Sequence, residues 1–456
     1  MDMRQTRLVP ALLFLAVLGA CDTSILDVLP QDEIADDVAI TDEETATAAL
    51  MGAYSSLQEG GLFGTDYVIW TDLLSDDVEH TGTFGSYGQA DLINVPADNF
   101  SVEDIWSTSY EGINRANVVI QEVPEVDGIS ATAVDRIVGQ AYALRALHYF
   151  DLLRAYGGVP VVLTPPDGLD DINELANATR NSPAEVWSQI ESDLTEARSR
   201  LTAAGVTNDG ERTLVTPGFT DALAAQAHLY QQDWAAAQTA ALAVVNSGDY
   251  SLAPAYGDLF DAVGAPTNED IFRLEFTAVD FNNFGFYYQF EGRFEVGATQ
   301  ELYDLYDQAN DDRFATQFDE TRPDGIEVVK YPSTVGTEDF HVIRYGEVLL
   351  ILAEAYAQQD QLQLAVDNLN LVRTRAGLTG YDLAIDLGDD QAQVLDAIYL
   401  ERRLELAFEG ERWFDLIRTG RAAAELGSAF SAYEALLPLP QSELDVSPNL
   451  VQNDGY

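Results

Sequence analysis

Between residues 42 and 424, apolar and small residues recur at helical spacing in ten separate stretches, and this periodicity constrains the fold more than any other feature. The stretches are 42–58, 101–122, 131–156, 184–201, 217–232, 233–247, 341–357, 361–376, 391–409 and 411–424. A chain so rich in amphipathic helices must bury one face of each against a neighbour. Two successive pairs share one plan. "GFTDALAAQAHLYQQDWAAAQTAALAVVNSG" turns at Gln232-Asp233, and "IRYGEVLLILAEAYAQQDQLQLAVDNLNLVRTRAG" turns at Gln359-Asp360. Alanines at the crossings permit close backbone approach, the mechanics of a tetratricopeptide helix pair. The expected class is mainly α. No charge run or Pro/Ser-rich linker interrupts 40–456, so one domain over 41–456 is expected.

Several helices mix charge with apolar residues. "ALRALHYFDLLRAYGGVPVVL" (143–163) is apolar on nearly every side yet carries Arg145, Asp151 and Arg154. These three are expected to pair inside a packed core. Gly157 and Gly158 are expected to stop the helix in left-handed conformations, Pro160 to block its continuation, and the run beyond to be β-like. In "ERRLELAFEGERWFDLIRTGR", Glu401, Glu405 and Glu409 follow at intervals of four. Arg402, Arg412, Asp415 and Arg418 there alternate with Leu404, Phe408, Trp413, Phe414 and Leu416. A solvated face would segregate charge from aromatics, so partly buried arginine–carboxylate bonds with an architectural role are expected.

The chain has 77 acidic and 23 basic residues, a net charge of −54, and Lys330 is its only lysine. Such a surface repels phosphate backbones and excludes nucleic acid as a partner. The acids are spread along the chain without a D-x-D-x-D-G loop, which argues against a calcium protein. Molar salt shrinks the Debye length to about 3 Å and removes the self-repulsion, so a salt-loving source is expected. The four histidines, 80, 148, 228 and 341, are isolated, and no HExxH or cysteine partner suggests zinc. His148 and His228 are expected in the core. Neither a GxSxG elbow, a Walker loop nor a strand-led GxGxxG occurs, and no cofactor or metal is expected.

"MDMRQTRLVPALLFLAVLGAC" places Arg4 and Arg7 before an apolar run from Leu8 to Ala20, long enough for a signal-peptide core and too short to span a bilayer. Cys21 is the only cysteine and cannot form an internal disulfide. Leu18-Gly19-Ala20-Cys21 resembles the bacterial lipobox. That resemblance implies a signal peptide over 1–20, a lipidated Cys21 and a tether over 21–40 that joins the protein to a membrane through its acyl chains.

Three stretches in register resemble the RagB/SusD family of outer-membrane nutrient-binding lipoproteins. The first is "ALRALHYFDLLRAYGGVPVVL", with Arg145, Gly157, Gly158 and Pro160. The second is "IRYGEVLLILAEAY" with "LNLVRTRAGL", holding Arg344 and Glu354. The third is "ERRLELAFEGERWFDLIRTGR", holding Glu401, Arg402, Glu409, Arg412 and Asp415, followed by "LLPLPQSELDVSPNLVQNDGY". The resemblance implies a SusD-like fold of tetratricopeptide-like helix pairs, irregular loops and a few short β-strands. It also implies a non-catalytic protein on the outward side of the outer membrane. There it would bind oligosaccharide or another polymer fragment and cap a SusC-like TonB-dependent transporter as a hinged lid. Two other readings stand beside it: a helical-repeat surface adaptor that binds only proteins, and a surface glycosidase whose carboxylates are hidden among the acids.

In that family, aromatic ligand contacts tend to come from loops matching two insertions here, 62–100 and 276–294. Sugars offer apolar C–H faces edged by hydroxyls, which suits aromatic rings flanked by amides. The candidates are Phe84, Tyr87, Phe281, Phe284, Tyr287 and Tyr288, with Asn282 and Asn283 for hydrogen bonds. Trp70 is expected in the core.

Overall fold

The computed structural model describes residues 40–210, 212–260, 265–323 and 325–456. The signal peptide, Cys21 and nearly all of the expected tether lie outside the described residues. Helix α1 (Glu43–Gln58) begins where Asp42 accepts the Thr45 amide at 2.9 Å, and the Thr45 hydroxyl closes the capping box. The first insertion, expected to be irregular, contains α2 (Asp66–Leu73) and α3 (Gly85–Asp91). Then come α4 (Phe100–Glu122), α5 (Ala131–Tyr156), a short α6 (Leu169–Leu175), α7 (Pro183–Ala203), α8 (Pro217–Tyr230) and α9 (Trp234–Ser247). Three short helices follow, α10 (Phe284–Tyr288), α11 (Gln300–Leu305) and α12 (Phe314–Gln317). The C-terminal part holds α13 (Tyr345–Gln358), α14 (Leu362–Arg375), α15 (Gln391–Glu405), α16 (Arg412–Arg418), α17 (Ala422–Glu425) and α18 (Gln441–Val446).

The long helices stack in sequence: α1 on α4, α4 on α5, α5 on α7, α7 on α8, α8 on α9, α9 on α13, and α13 on α14 and α15. The two repeat-like pairs turn where their sequences indicate, each through one left-handed residue, Gln232 (φ 58°) and Asp360 (φ 60°). The main apolar core runs from Ile40 to Leu439, and Ala253, Tyr256, Leu259 and Phe260 form a small separate cluster. Against the helices lie two small antiparallel sheets. One has the order β1 (Val78–His80), β3 (Val296–Ala298), β5 (Gly325–Val328), β4 (Phe318–Arg322), and the other pairs β2 (Asp270–Leu274) with β6 (Phe340–Arg344).

Five expectations are corrected. Residues 341–344 form β6, because His341 and Ile343 pair with β2 before the helix begins at Tyr345. The helix expected over 391–409 ends at Glu405, and the chain turns through Phe408 (φ 66°) and Gly410 (φ 80°). The stretch 411–424 divides into α16 and α17 at Gly420 (φ 69°). Residues 159–163 are not a strand, since side chains satisfy their amides: Val161 donates to Asn181 Oδ1 (2.9 Å) and Val162 to the Tyr149 hydroxyl (2.7 Å). At the end of α5 only Gly157 has positive φ (76°). Gly158 is required by space, because a Cβ there would meet the Asn181 carbonyl oxygen at 2.2 Å.

The interleaved charges face inward. Arg154 bonds Asp151 (2.9 Å) and Glu411 (3.0 Å) and stacks on Phe150 and Phe414 at 4.3 and 4.4 Å. Arg145 does not join this group. It grips Asp193 of α7 through two bonds of 2.8 and 2.7 Å, fastening the helix pair. Arg344 is the hub of a larger buried network, bonding Glu409 twice at 2.9 Å, Glu405 at 2.6 Å and Glu269 at 3.0 Å. Arg313 adds Glu401 (2.7 Å) and Asp311 (2.8 Å), and Lys330 reaches Glu409 (2.6 Å). Burial lowers Lys330 to about 8, against the pull of Glu409. Burial works against ionisation of Glu405, but Arg375, Arg344 and Arg313 together hold it far below the carboxylate range. Arg412 clasps Asp76 through two bonds of 2.7 Å, Asp415 bridges Arg402 (2.8 Å) and Arg418 (2.7 Å), and Glu354 takes Arg418 through two further bonds.

Candidate functional site

The two aromatic insertions meet. Asn283 ties them together, its amide donating to the Gly64 carbonyl (3.1 Å) and its side chain to the Thr65 hydroxyl (2.8 Å). Short helices on both sides, α3 and α10, then bring their rings into one cluster. Tyr287 lies edge-on to Phe84 (5.6 Å, 84°) and to Tyr87 (5.9 Å, 84°), with Phe286 alongside at 5.5 Å. Gly285 makes the fit possible, because a Cβ there would meet the Ser333 carbonyl oxygen at 2.2 Å.

The exposed edge is an aromatic ledge. Phe84 and Tyr287 are half-buried, Phe286 is 37% exposed, and no described residue bonds the Tyr287 hydroxyl. Arg293 stacks on Phe84 at 3.8 Å and bonds both the Thr83 hydroxyl (3.1 Å) and Glu295. Glu295 is buried and accepts the Thr83 and Phe84 amides at 2.6 and 2.9 Å. Burial opposes its ionisation, but those amides and Arg293 hold it below the usual range, so it fixes the ledge as a carboxylate. Below, Tyr87 donates to Asp66 at 2.9 Å, and burial raises Asp66 to about 6. The ledge therefore offers ring faces and edges flanked by a hydroxyl and a guanidinium.

The structure divides the sequence candidates. Phe84 and Tyr287 are on the ledge, and Phe281, 55% exposed, lies farther along the same insertion. Phe284, Tyr288 and Asn282 are buried: Phe284 packs on Tyr331 and Phe340, Tyr288 on Phe408, and Asn282 donates to the Glu338 carbonyl. Tyr87 is buried beneath the ledge, so its removal would cost stability as well as contacts. Trp70 is in the core and donates to the Ser86 carbonyl at 3.1 Å. His148 is buried beside Ser56 (3.2 Å), and burial and Arg115 lower it to about 3. His228 is only half-buried. Sequence reasoning passed over Phe286 and Arg293, although both lie within the 276–294 insertion. Among the described residues no group of three His, Cys, Asp or Glu could hold a metal ion, and no helix is long and apolar enough to cross a membrane.

Helix pairs carrying two irregular, aromatic insertions and small sheets define a SusD-like fold. Known proteins agree. Residues 25–216 match a family described as "Starch-binding associating with outer membrane", and residues 328–435 match the SusD family. SusD-like proteins P38 and P2 of Formosa agariphila are each 27% identical to the chain, over 98% and 100% of it and over 97% and 100% of their own lengths. A laminarin-binding SusD-like protein superposes with a TM-score of 0.79 at 24% identity, covering 91% of this chain and 100% of that one. Surface glycan-binding protein A of Bacteroides thetaiotaomicron, in complex with laminarihexaose, gives 0.75 at 22% identity, with coverage of 91% and 100%. The chain is thus similar to the SusD/RagB family in both its N-terminal and its C-terminal parts.

Proposed function

We propose that this chain is a cell-surface lipoprotein, anchored through Cys21, that binds oligosaccharide on the aromatic ledge and passes it to a SusC-like TonB-dependent transporter without chemistry. The observation that carries the reading is the union of the two insertions: Phe84 from one and Phe286 and Tyr287 from the other make one exposed aromatic surface held by Glu295 and Arg293. Stacking against C–H faces, with the Tyr287 hydroxyl and Arg293 reaching ring hydroxyls, suits a saccharide chain. Structural relatives described as laminarin-binding and glycan-binding support the ligand class. The sequence 1–21 supports the anchor, and the family supports the transporter and the outward-facing position on the outer membrane.

The test is calorimetric titration of protein beginning after Cys21, in molar salt, with a panel of oligosaccharides and peptides. A hit is expected among the saccharides. Tyr287→Ala and Phe286→Ala should each weaken it about tenfold, roughly 1.4 kcal/mol, with the unfolding midpoint nearly unchanged. Full affinity in both variants would refute the ledge as the binding surface.

A further inference from the structure

A second cavity, sharing no residue with the ledge, lies where α4, the segment after α5 and α18 converge. It encloses about 350 Å³ and opens along residues 160–181 into a wider cleft of about 770 Å³. That volume is in the range of sites for small organic ligands.

Its floor is rigid. Trp106 and Tyr110 stand one turn apart on α4 with ring centres 5.0 Å apart. Tyr156 closes the far side of Trp106 edge-on at 5.1 Å, and the Tyr110 hydroxyl donates to the Pro160 carbonyl at 2.7 Å. Three of its polar side chains bond no described residue. Trp106 is 3% exposed, and its indole N–H finds no acceptor among the described residues although it lines the cavity. Asn114, one turn beyond Tyr110, is exposed, and no described residue bonds its side-chain amide. Glu443 of α18 is half-buried and forms no ion pair among the described residues, and burial followed by the nearby Glu103 raises it. Arg180, the neighbouring cation, spends its N–H groups on the carbonyls of Gly158, Tyr156 and Val451.

An indole N–H open to the cavity, an exposed amide and a half-buried carboxylate around an aromatic floor match a polyhydroxylated ring, whose hydroxyls both donate and accept. An anionic ligand would meet the carboxylate of Glu443 at close quarters, whereas a neutral one would not be repelled. We propose that this cleft is a second carbohydrate site, taking one or two rings of a neutral glycan against Tyr110, with Trp106, Asn114 and Glu443 bonding its hydroxyls. Binding at both places would let one chain grip a polymer twice, raising avidity without new contacts at the ledge.

The experiment is calorimetric titration of the post-Cys21 protein with laminarihexaose, cellohexaose and maltohexaose, reading stoichiometry as well as affinity. Two ligands per chain are expected for at least one sugar. Trp106→Phe, which keeps the ring packing and removes the N–H, and Glu443→Gln should each weaken one class of sites at least tenfold. Tyr287→Ala should weaken only the other class. A single site per chain abolished by Tyr287→Ala, or unchanged two-site binding in both cleft variants, would overturn the second site and leave the ledge standing. Absence of binding by all three sugars would count against both readings.

Discussion

Asp415 offers a sharp test of the interior ion network. It accepts Arg402 Nε at 2.8 Å and Arg418 Nε at 2.7 Å, and all three side chains are largely buried. Burial pushes this carboxyl up, but the two guanidiniums outweigh it and bring it from 3.8 to about 2. A group that ionises more easily in the folded than in the unfolded chain stabilises the fold wherever it is charged. The difference here is worth roughly 2.5 kcal/mol at neutral pH. Asp415→Asn should lose at least that. Arg418 would keep both bonds to Glu354, at 2.7 and 2.8 Å. Arg402 would fare worse, because its two terminal nitrogens already lack hydrogen-bond partners among the described residues. Its other neighbour, Glu347, is 3.6 Å away and is raised by burial to about 7. A buried charge left so poorly matched carries the loss toward about 5 kcal/mol. In a chain of this length 1 kcal/mol moves the thermal midpoint by only about 1 °C, so urea unfolding at fixed molar salt is the better assay. The wild type's advantage should be full above pH 4 and should fade as pH falls through about 2, where Asp415 protonates. A loss below about 1 kcal/mol at pH 7, or a loss as large at pH 2 as at pH 7, would refute the assignment.

Two further outcomes follow from the charges. Asp72 is buried, neither of its carboxylate oxygens makes a well-formed hydrogen bond among the described residues, and burial, then Asp77, raise it well above its ordinary value against the weaker pull of the Gly410 amide. Its charge costs stability increasingly as pH rises above the unfolded value, so Asp72→Asn should gain about 1–3 kcal/mol in urea at pH 7 and almost nothing near pH 3; a loss at pH 7 would contradict this. The surplus of acids predicts that the urea midpoint of the wild type rises markedly between dilute buffer and molar sodium chloride, and a flat response would end the halophile reading.

The helix pairs were legible because 3.6-residue periodicity survives over a dozen or more residues. Gln232-Asp233 and Gln359-Asp360 were legible as turns because polar residues interrupt that pattern. Short elements were not. His341-Val342-Ile343 reads equally well as the start of α13 or as a strand, and only pairing with β2 decides. The inward charges were visible from their interleaving with aromatics, but their partners were not. Arg412 finds Asp76 across 336 residues, and Arg145 prefers Asp193 on the next helix to Asp151 on its own. The same limit governs the ledge. Tyr287 and Tyr288 are adjacent in a five-residue helix, yet one reaches the surface and the other packs on Phe408. That choice is made by the opposing insertion and not by local sequence.

Among the described residues nine basic side chains are buried, most of them in the paired interior around Arg344, Arg402 and Arg154. The molecule is thus electrically layered, with much of its cationic complement locked inside and an outer shell more purely acidic than the composition suggests. Salt acts on only one layer: mobile ions neutralise the shell but do not reach the desolvated pairs. Adapting this scaffold to fresh water would therefore be a task of recolouring the shell, exchanging outward carboxylates for neutral or basic residues while the inner lattice is left untouched.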